Sequence, residues 1–420
     1  MIRRDVRALL AIVIGVFFFA PLFAQERSLR LDEIWNGQFS AAGPQSIRSM
    51  SDGEHFTVLE RSGTSKAMEI NKYDYGSGQK LGVIFSSYNY PQLQGVFDYE
   101  LSPDEQKILI KTQRKAQYRH SYFAQHYLYN LSDNSLVQVE GPDLQEVTYS
   151  PDGQFLGFVR ANNLYYWIIS EQKAVQVTND GIQNHIINGL TDWVYEEEFG
   201  FVQAYQWSRD GDYLAYLRFD ESDVPEFSMD VYGQGLYPEQ SVFKYPKAGE
   251  KNAEVSLHVY ALKDKVTTDV DLSQWTYEYI PRIKWTKNPD QLAVQLLNRA
   301  QNELVLLQVD LRENQIQVLL RETDAAYVDI HDDLTFLNDN SFIWPSEQDG
   351  WRHLYHYNAQ GVLIRQLTQG NYDVTAYYGF NPKIGRLYFQ SSKRGSIYRD
   401  IYSMNISGTN MVRFSQDKGT

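Results

Sequence analysis

The sequence predicts an all-β protein, a β-propeller built from four-stranded blades. Strand-favouring aromatic residues are abundant, with 31 tyrosines, 21 phenylalanines and 8 tryptophans in 420 residues. A short phrase also recurs along the chain: an aromatic or apolar residue, a tight turn, and then an alternating apolar strand. The copies are spaced at about the length of one propeller blade, which is typical of a repeat architecture.

Seven copies of this phrase are recognisable. The clearest are at 101–104 (Leu-Ser-Pro-Asp), 149–153 (Tyr-Ser-Pro-Asp-Gly) and 207–211 (Trp-Ser-Arg-Asp-Gly), and weaker ones are at 50–53, 285–290, 336–340 and 380–382. Pro presets φ, and Asp and Gly accept backbone conformations that other residues resist, so each copy predicts a tight turn. Starting at Met50, the intervals are 51, 48, 58, 78, 51 and 44 residues. We therefore expect seven blades.

The 78-residue interval is too long for one blade and indicates an insertion near residues 222–252. The inserted segment is rich in Tyr, Phe, Pro and Gly and has little regular periodicity. A long surface loop is the plain interpretation, although it would expose to water the aromatic residues Phe227, Tyr232, Tyr237, Phe243 and Tyr245.

Residues 1–24 have the pattern of an export signal. Arg3 and Arg4 give a positive start, residues 8–20 are apolar, and residues 21–24 offer a cleavage site. The uncharged run at 8–24 has 17 residues, the short limit for crossing a bilayer, so an uncleaved membrane anchor is the alternative. We expect an exported protein, periplasmic or secreted, whose propeller occupies residues 25–420.

Composition narrows the classes of function. The formal net charge of -14, with no basic stripe to offset it, argues against nucleic-acid binding. There is no cysteine, so disulfides, thiolate metal sites and cysteine catalysis are excluded. No histidine or carboxylate cluster has convincing metal spacing, and we expect neither a metal nor another cofactor.

An unusual acidic stretch lies at residues 192–199, Asp-Trp-Val-Tyr-Glu-Glu-Glu-Phe. Three adjacent carboxylates repel one another, and neighbouring aromatic side chains restrict the water that would screen them. An arriving cation relieves that cost, so the stretch indicates a receptor for a small positive group such as a peptide α-amine. A solvated acidic turn is the alternative.

This stretch resembles a motif of a known family. Residues 189–199, Gly-Leu-Thr-Asp-Trp-Val-Tyr-Glu-Glu-Glu-Phe, look like the double-glutamate motif of the dipeptidyl peptidase IV family, in the prolyl oligopeptidase clan of serine peptidases. Residues 118–122 (Tyr-Arg-His-Ser-Tyr) resemble its substrate-contacting arginine segment. Residues 245–249 (Tyr-Pro-Lys-Ala-Gly), with Asn252, resemble a segment of its fourth blade.

The resemblance implies roles for three residues. Glu197 and Glu198 align with the pair that holds the substrate's N-terminal ammonium, whereas Glu196 is not carried over as a ligand. Arg119 aligns with the arginine that contacts the substrate's backbone carbonyl. Arg119 could instead be a structural partner of the same glutamates or a plain surface charge. We also expect the double-glutamate motif to lie on a short helical segment.

The resemblance also implies an assembly. Propellers of the family resemble eight-bladed rings, so seven copies indicate that one blade is missing and that the chain is part of a longer parent, although a natural seven-bladed ring remains open. The segment at 222–252 corresponds to an arm that reaches a second subunit, which implies a homodimer.

The chemistry of peptide cleavage is not encoded in these 420 residues. Clan members carry the serine nucleophile on a Gly-x-Ser-x-Gly turn in an α/β-hydrolase domain, and this pattern does not occur here. We therefore expect an inactive fragment that supplies substrate recognition to a peptidase releasing N-terminal Xaa-Pro or Xaa-Ala dipeptides. The alternative is a non-catalytic propeller that binds peptides or proteins in an exported complex.

Overall fold

The computed structural model describes residues 28–40 and 46–416. The chain divides into two compact units, residues 1–47 and 48–420. In the first unit, a short helix α1 (Leu31–Trp35) has no buried residue. The predicted export signal at residues 1–24 lies outside the described residues. Within the described part of the chain, no helix is long and apolar enough to cross a membrane.

The second unit is a β-propeller: its described residues form seven successive antiparallel sheets, here called blades 1 to 7. Blades 1 to 3 contain β1 (Arg48–Ser49), β2 (His55–Arg61), β3 (Met68–Asp74), β4 (Lys80–Ser86); β5 (Asp98–Leu101), β6 (Lys107–Ala116), β7 (Tyr122–Asn130), β8 (Leu136–Gln138); β9 (Gln145–Tyr149), β10 (Phe155–Arg160), β11 (Asn163–Ile168), β12 (Lys173–Gln176). A 3₁₀ turn at Ser87–Asn89 follows blade 1.

Blade 4 has five strands and carries two additions, a short helix and a separate hairpin. Its elements are β13 (Ile186–Asn188), α2 (Trp193–Glu198), β14 (Tyr205–Trp207), β15 (Tyr213–Asp220), the hairpin strands β16 (Glu226–Val231) and β17 (Glu239–Lys244), β18 (Glu254–Ala261) and β19 (Val266–Asp269).

Blades 5 to 7 return to the four-stranded pattern. They contain β20 (Tyr279–Trp285), β21 (Gln291–Leu297), β22 (Glu303–Asp310), β23 (Gln315–Thr323); β24 (Thr335–Phe336), β25 (Phe342–Ser346), β26 (His353–Tyr357), β27 (Leu363–Gln366); β28 (Val374–Asn381), β29 (Arg386–Ser391), β30 (Asp400–Asn405), β31 (Val412–Arg413). The predicted all-β propeller, with seven blades present, is confirmed.

Each copy of the recurring phrase forms the turn between the first two strands of its blade, β14 and β15 in blade 4. In the copy at 149–153, the Ser150 hydroxyl donates to Asp152 at 2.5 Å and accepts the N–H of Phe155 at 2.9 Å. The copy at 207–211 repeats this arrangement, with Ser208 bonded to Asp210 and Tyr213. Because these bonds join residues within one short segment, the recurring phrase marks the first turn of each blade.

The core lies between neighbouring blades. Ile70 of blade 1 packs in one cluster with Ile108 of blade 2, and Leu109 on the opposite face of blade 2 packs with Phe158 of blade 3. The fourth strands are the most exposed, and all four residues of β19 face solvent. Because successive side chains of a strand point to opposite faces, both faces of a blade are buried against its neighbours. The fourth strand, at the outer edge, remains exposed to solvent.

Residues 222–252, hereafter the arm, contain a β-hairpin, although their sequence has little regular periodicity. Strands β16 and β17 pair in register from Glu226–Lys244 to Val231–Glu239. Of its aromatic residues, Tyr232 and Tyr237 at the tip are 79% and 86% exposed, whereas Phe243 at the base is 9% exposed. The sequence alone did not separate these two ends.

Candidate functional site

The acidic stretch lies on an insert in the first strand of blade 4. Strands β13 and β14 pair with opposite ends of the same strand, β15. Between them, residues 189–204 leave the sheet and return, and Leu190 bridges Gln203 at the base. We call this segment the blade 4 insert. The sheet therefore continues on both sides of the insert and fixes its two ends.

Gly189 is required where the insert begins. Its φ is +76°, a conformation that residues with a Cβ resist. A Cβ here would also lie 3.2 Å from the side chains of both Leu164 and Val159. The backbone can therefore turn out of blade 4 close against blade 3 only because this position has no side chain.

Helix α2 is held at both ends. At the start, the Asp192 carboxylate accepts the N–H of Tyr195 at 2.9 Å, which is an N-cap. The Tyr195 hydroxyl accepts the N–H of Ile280 at 2.9 Å, and Arg282 donates to the carbonyl of Phe199 at 2.8 Å. Blade 5 thus fixes a six-residue helix that would not be stable in isolation.

Consecutive residues of α2 point in different directions, since an α-helix turns about 100° per residue. Tyr195 and Glu196 are each 1% exposed, the Glu197 side chain is 14% exposed, and Glu198 is exposed. The three glutamates therefore have three environments, and the sequence pattern alone did not distinguish them.

Arg119 lies on the loop between β6 and β7, residues 117–121, which we call the Arg119 loop. Its two ends are joined by the N–H of Gln117 donating to the carbonyl of Ser121 at 2.9 Å. The Ser121 hydroxyl also accepts the N–H of Tyr118 at 3.2 Å. These bonds close the loop into a compact turn at the end of a long hairpin.

Glu196 joins α2 to the Arg119 loop. A single carboxylate oxygen, Oε1, accepts the N–H of His120 at 2.7 Å and the N–H of Ser121 at 2.9 Å. Hydrogen bonds to an ionised acceptor are stronger than neutral ones. The first glutamate of the triplet therefore contacts backbone and leaves the next two for other partners.

Arg119 and Glu197 form an ion pair. The distance from Arg119 Nε to Glu197 Oε2 is 3.0 Å, with the arginine side chain 71% exposed. Glu198 lies near Tyr327, in the connection between blades 5 and 6: burial, and then the charges of Asp329 and Glu198, raise the pKa of Tyr327. Tyr327 lines a cavity of about 240 Å³. The structure thus brings Arg119 and Glu197 together and places Glu198 on the solvent side of the helix.

The base of the arm packs against both elements of the site. The rings of Tyr245 and Trp193 of α2 have centroids 4.3 Å apart, and those of Phe243 and Tyr118 of the Arg119 loop are 5.8 Å apart. These contacts account for the burial of the aromatic residues at the arm's base. These contacts could not be predicted, because the partners are far apart along the chain.

Two further acidic residues near the site, Glu221 and Asp192, are buried. Burial, and then the charge of Asp192, raise the pKa of Glu221 to about 7, and burial raises the pKa of Asp192 to about 6. Burial, assisted first by Glu221, also raises the pKa of Tyr118 to about 12. Among the described residues, no group of three or more His, Asp or Glu side chains is arranged to hold a metal ion.

Replacing Glu221 with glutamine is expected to change how stability depends on pH. A carboxyl whose folded pKa is raised to about 7 binds its proton more tightly when folded, so the free energy of unfolding falls as pH rises from about 4 to 7 and is then constant. Between pH 5 and 8 the variant should gain about 2 to 3 kcal/mol relative to the wild type. Urea unfolding at both pH values measures this difference. Parallel pH profiles for the two proteins would contradict it.

Known proteins resemble this chain in sequence. The family model for the dipeptidyl peptidase IV (DPP IV) N-terminal region matches residues 102–420. The chain is 31% identical over 345 residues to the probable dipeptidyl peptidase 4 of Arthroderma benhamiae, covering 77% of this chain and 44% of that protein. The dipeptidyl peptidase 4 of Trichophyton rubrum gives the same identity and coverage.

Solved structures agree. The crystal structure of Porphyromonas gingivalis dipeptidyl peptidase 4 superposes with a TM-score of 0.86 at 38% identity, covering 93% of this chain and 56% of that one. A putative dipeptidyl aminopeptidase IV from Bacteroides ovatus shares the fold at 19% identity, with a TM-score of 0.65. The chain spans about half the length of these relatives. It belongs to the dipeptidyl peptidase IV family and matches the N-terminal region of that family.

Proposed function

We propose that this chain is the substrate-recognition propeller of a dipeptidyl peptidase IV-like serine exopeptidase. Glu197 and Glu198 bind the free α-amine of a peptide, and Arg119 binds a backbone carbonyl. The observation that carries the proposal is the ion pair between Arg119 Nε and Glu197 Oε2, 3.0 Å apart. In this pair the Glu197 carboxylate, proposed to bind the amine, lies next to the Arg119 guanidinium, proposed to bind the carbonyl.

The chemistry of the three side chains fits this assignment. A peptide ammonium has three N–H donors, and carboxylates are acceptors only. The ammonium has a pKa of about 7.7 to 8.0 in water, and neighbouring anions raise it, so the peptide enters charged at neutral pH. Arg119 faces Glu197 through Nε, and a guanidinium has four more N–H donors suited to a carbonyl oxygen.

Fixing the amine also fixes where a peptide is cut. If the N-terminus is held at a set distance from a nucleophile, the second peptide bond is the one presented. In this proposal the nucleophile belongs to an α/β-hydrolase domain of the full-length protein, and the products are Xaa-Pro or Xaa-Ala dipeptides. The relatives are named dipeptidyl peptidases, which supports the release of dipeptides.

Calorimetry on the 420-residue chain tests amine binding. The tripeptide Ala-Pro-Ala should bind at least about 10-fold more tightly than its N-acetyl form, because a hydrogen bond to a charged group contributes about 1.5 to 3 kcal/mol. Acetylation removes the charge and keeps the peptide length. Equal affinity for the two peptides, or binding of neither, would reject the assignment.

The reading frame of the full-length protein separates the peptidase from a non-catalytic binding propeller. A Gly-x-Ser-x-Gly turn downstream, with free-amine turnover that is lost on replacing its serine, supports the peptidase. Amine-selective binding without such a turn would support the alternative.

The arm is proposed to form a homodimer contact. Its base is fixed to the site by Trp193 and Tyr118, while Tyr232, Leu236 and Tyr237 at the tip are 79%, 98% and 86% exposed. Exposed aromatic and aliphatic side chains clustered in this way are typical of an interface. Sedimentation should give twice the mass of one chain, and a variant with serine at these three positions should be monomeric. A monomeric wild type would contradict the contact.

Export is proposed from the sequence pattern at residues 1–24. A mature N-terminus at Gln25 in the secreted or periplasmic fraction is the expected result. Protein that retains its N-terminus in the soluble cytoplasm would contradict both cleavage and anchoring.

A further inference from the structure

We propose that Glu196 is a positioning residue that holds the Arg119 loop against α2, so that the Arg119–Glu197 pair forms only while this link is intact. This inference rests on the proposed amine-binding function and adds a third glutamate with a distinct task. Glu196 itself touches no substrate. It acts through Arg119.

The contacts of Glu196 have the geometry of such a link. His120 and Ser121 donate their N–H groups to the same oxygen, at 2.7 and 2.9 Å, from positions 76 and 75 residues earlier in the chain. Between the described residues of the Arg119 loop and α2, the remaining polar contact is the Arg119–Glu197 pair itself. The loop is therefore tied to the helix at two consecutive backbone positions, one of them next to Arg119.

The two sides of this link differ in how they are supported. Helix α2 has its own supports in blade 5, through the Tyr195 hydroxyl and the Arg282 guanidinium. The Arg119 loop is held at its first two residues, where Gln145 donates to the Gln117 side chain at 2.7 Å and the ring of Phe243 packs against Tyr118. At His120 and Ser121, next to Arg119, the link is to Glu196. Removing Glu196 should therefore leave the helix in place and release the part of the loop that carries Arg119.

Burial rules out a direct ligand role for Glu196. The residue is 1% exposed, whereas the side chain of Glu197 is 14% exposed and Glu198 is exposed. Its Oε1 is already engaged by two N–H groups. The Glu196 carboxylate is therefore buried and held by backbone N–H groups, whereas Glu197 and Glu198 are the members of the triplet that reach solvent.

Three substitutions in the 420-residue chain distinguish positioning from charge. Glu196→Gln removes the charge but keeps a carbonyl oxygen that can accept two N–H bonds. Glu196→Asp keeps the charge but is one methylene too short, and Glu196→Ala loses both. The readout is the calorimetric affinity for Ala-Pro-Ala, because the carbonyl assigned to Arg119 is present with or without a free amine. Thermal unfolding checks that each variant is folded. Glu313→Gln, on an exposed turn in blade 5, is the matched control.

We expect Glu196→Ala and Glu196→Asp to lower the affinity for Ala-Pro-Ala at least tenfold and Glu196→Gln to stay within threefold of the wild type. If Glu196→Ala does not fold, the Asp and Gln variants decide the question. A wild-type affinity in Glu196→Asp, or a tenfold loss in Glu196→Gln, would overturn positioning in favour of charge or of no role. A folded Glu196→Ala that keeps the wild-type affinity would also overturn it.

A double-mutant cycle tests whether Glu196 acts through Arg119. In an Arg119→Ala background, Glu196→Ala should change the affinity for Ala-Pro-Ala less than threefold further. A full additional tenfold loss would show an independent action and overturn the proposal. A wild type without any free-amine preference would instead reject the proposed function itself, and the positioning role with it.

Discussion

Replacing Glu197 with glutamine is expected to weaken binding of a free-amine peptide by about 2 to 5 kcal/mol, roughly 30-fold or more. The side chain of Glu197 is 14% exposed and pairs with Arg119 at 3.0 Å. The neutral amide therefore leaves the guanidinium without its anion and the incoming ammonium with Glu198 alone. Calorimetry with Ala-Pro-Ala measures the loss, and binding of the N-acetyl peptide should change far less. The difference between the two peptides isolates the amine contact from general damage.

Glu313→Gln serves as the control for this substitution. It makes the same chemical change on an exposed turn of blade 5. Its binding should match the wild type for both peptides. If Glu197→Gln also binds the free-amine peptide like the wild type, Glu197 has no part in amine recognition.

Replacing Gly361 with alanine should destabilise the propeller by at least about 3 kcal/mol. Gly361 lies in the turn between β26 and β27 of blade 6, at φ +79°. A Cβ there would lie 1.8 Å from the carbonyl oxygen of Leu319 in blade 5. Backbone cannot yield as a flexible side chain can, so the blades must separate locally. The midpoint and slope of urea unfolding measure the effect.

A second glycine separates the two causes of this loss. Gly385, in a turn of blade 7, has φ +64° and no atom within 4 Å of a Cβ. Gly385→Ala therefore reports the cost of the backbone conformation alone, about 1 to 2 kcal/mol. Equal losses in the two variants would show that the contact between blades 5 and 6 contributes nothing.

The fold could be predicted because its signals are local. A serine, an aspartate and the first residue of the next strand form each clear turn, as Ser150, Asp152 and Phe155 do, within six residues of sequence. Such a pattern is readable without knowing any distant contact. The arm was harder to interpret. Its hairpin lacks strict alternation, and packing against Trp193 and Tyr118, rather than sequence, determines which of its aromatic residues are buried.

The roles assigned to the site residues stay predictions, but their arrangement can be compared with the sequence. Resemblance pointed to Glu197, Glu198 and Arg119, and the structure pairs two of these three. The bond from Glu196 to the backbone of His120 was not predicted, because a backbone N–H leaves no mark in the sequence. The cap made by Asp192 has a recognisable signal: an aspartate directly before a short helical run is a common helix start.

The way the blade 4 insert leaves its sheet has a consequence for engineering. The N–H of Ala204 donates to the carbonyl of Gly189 at 2.9 Å, so a 14-residue segment enters and exits through neighbouring backbone positions. Whatever lies between these two positions does not interrupt the strand ladder. We therefore expect that segments of other lengths and charges can replace residues 190–203 without disturbing blade 4. Such replacements would give the same propeller a different ligand preference.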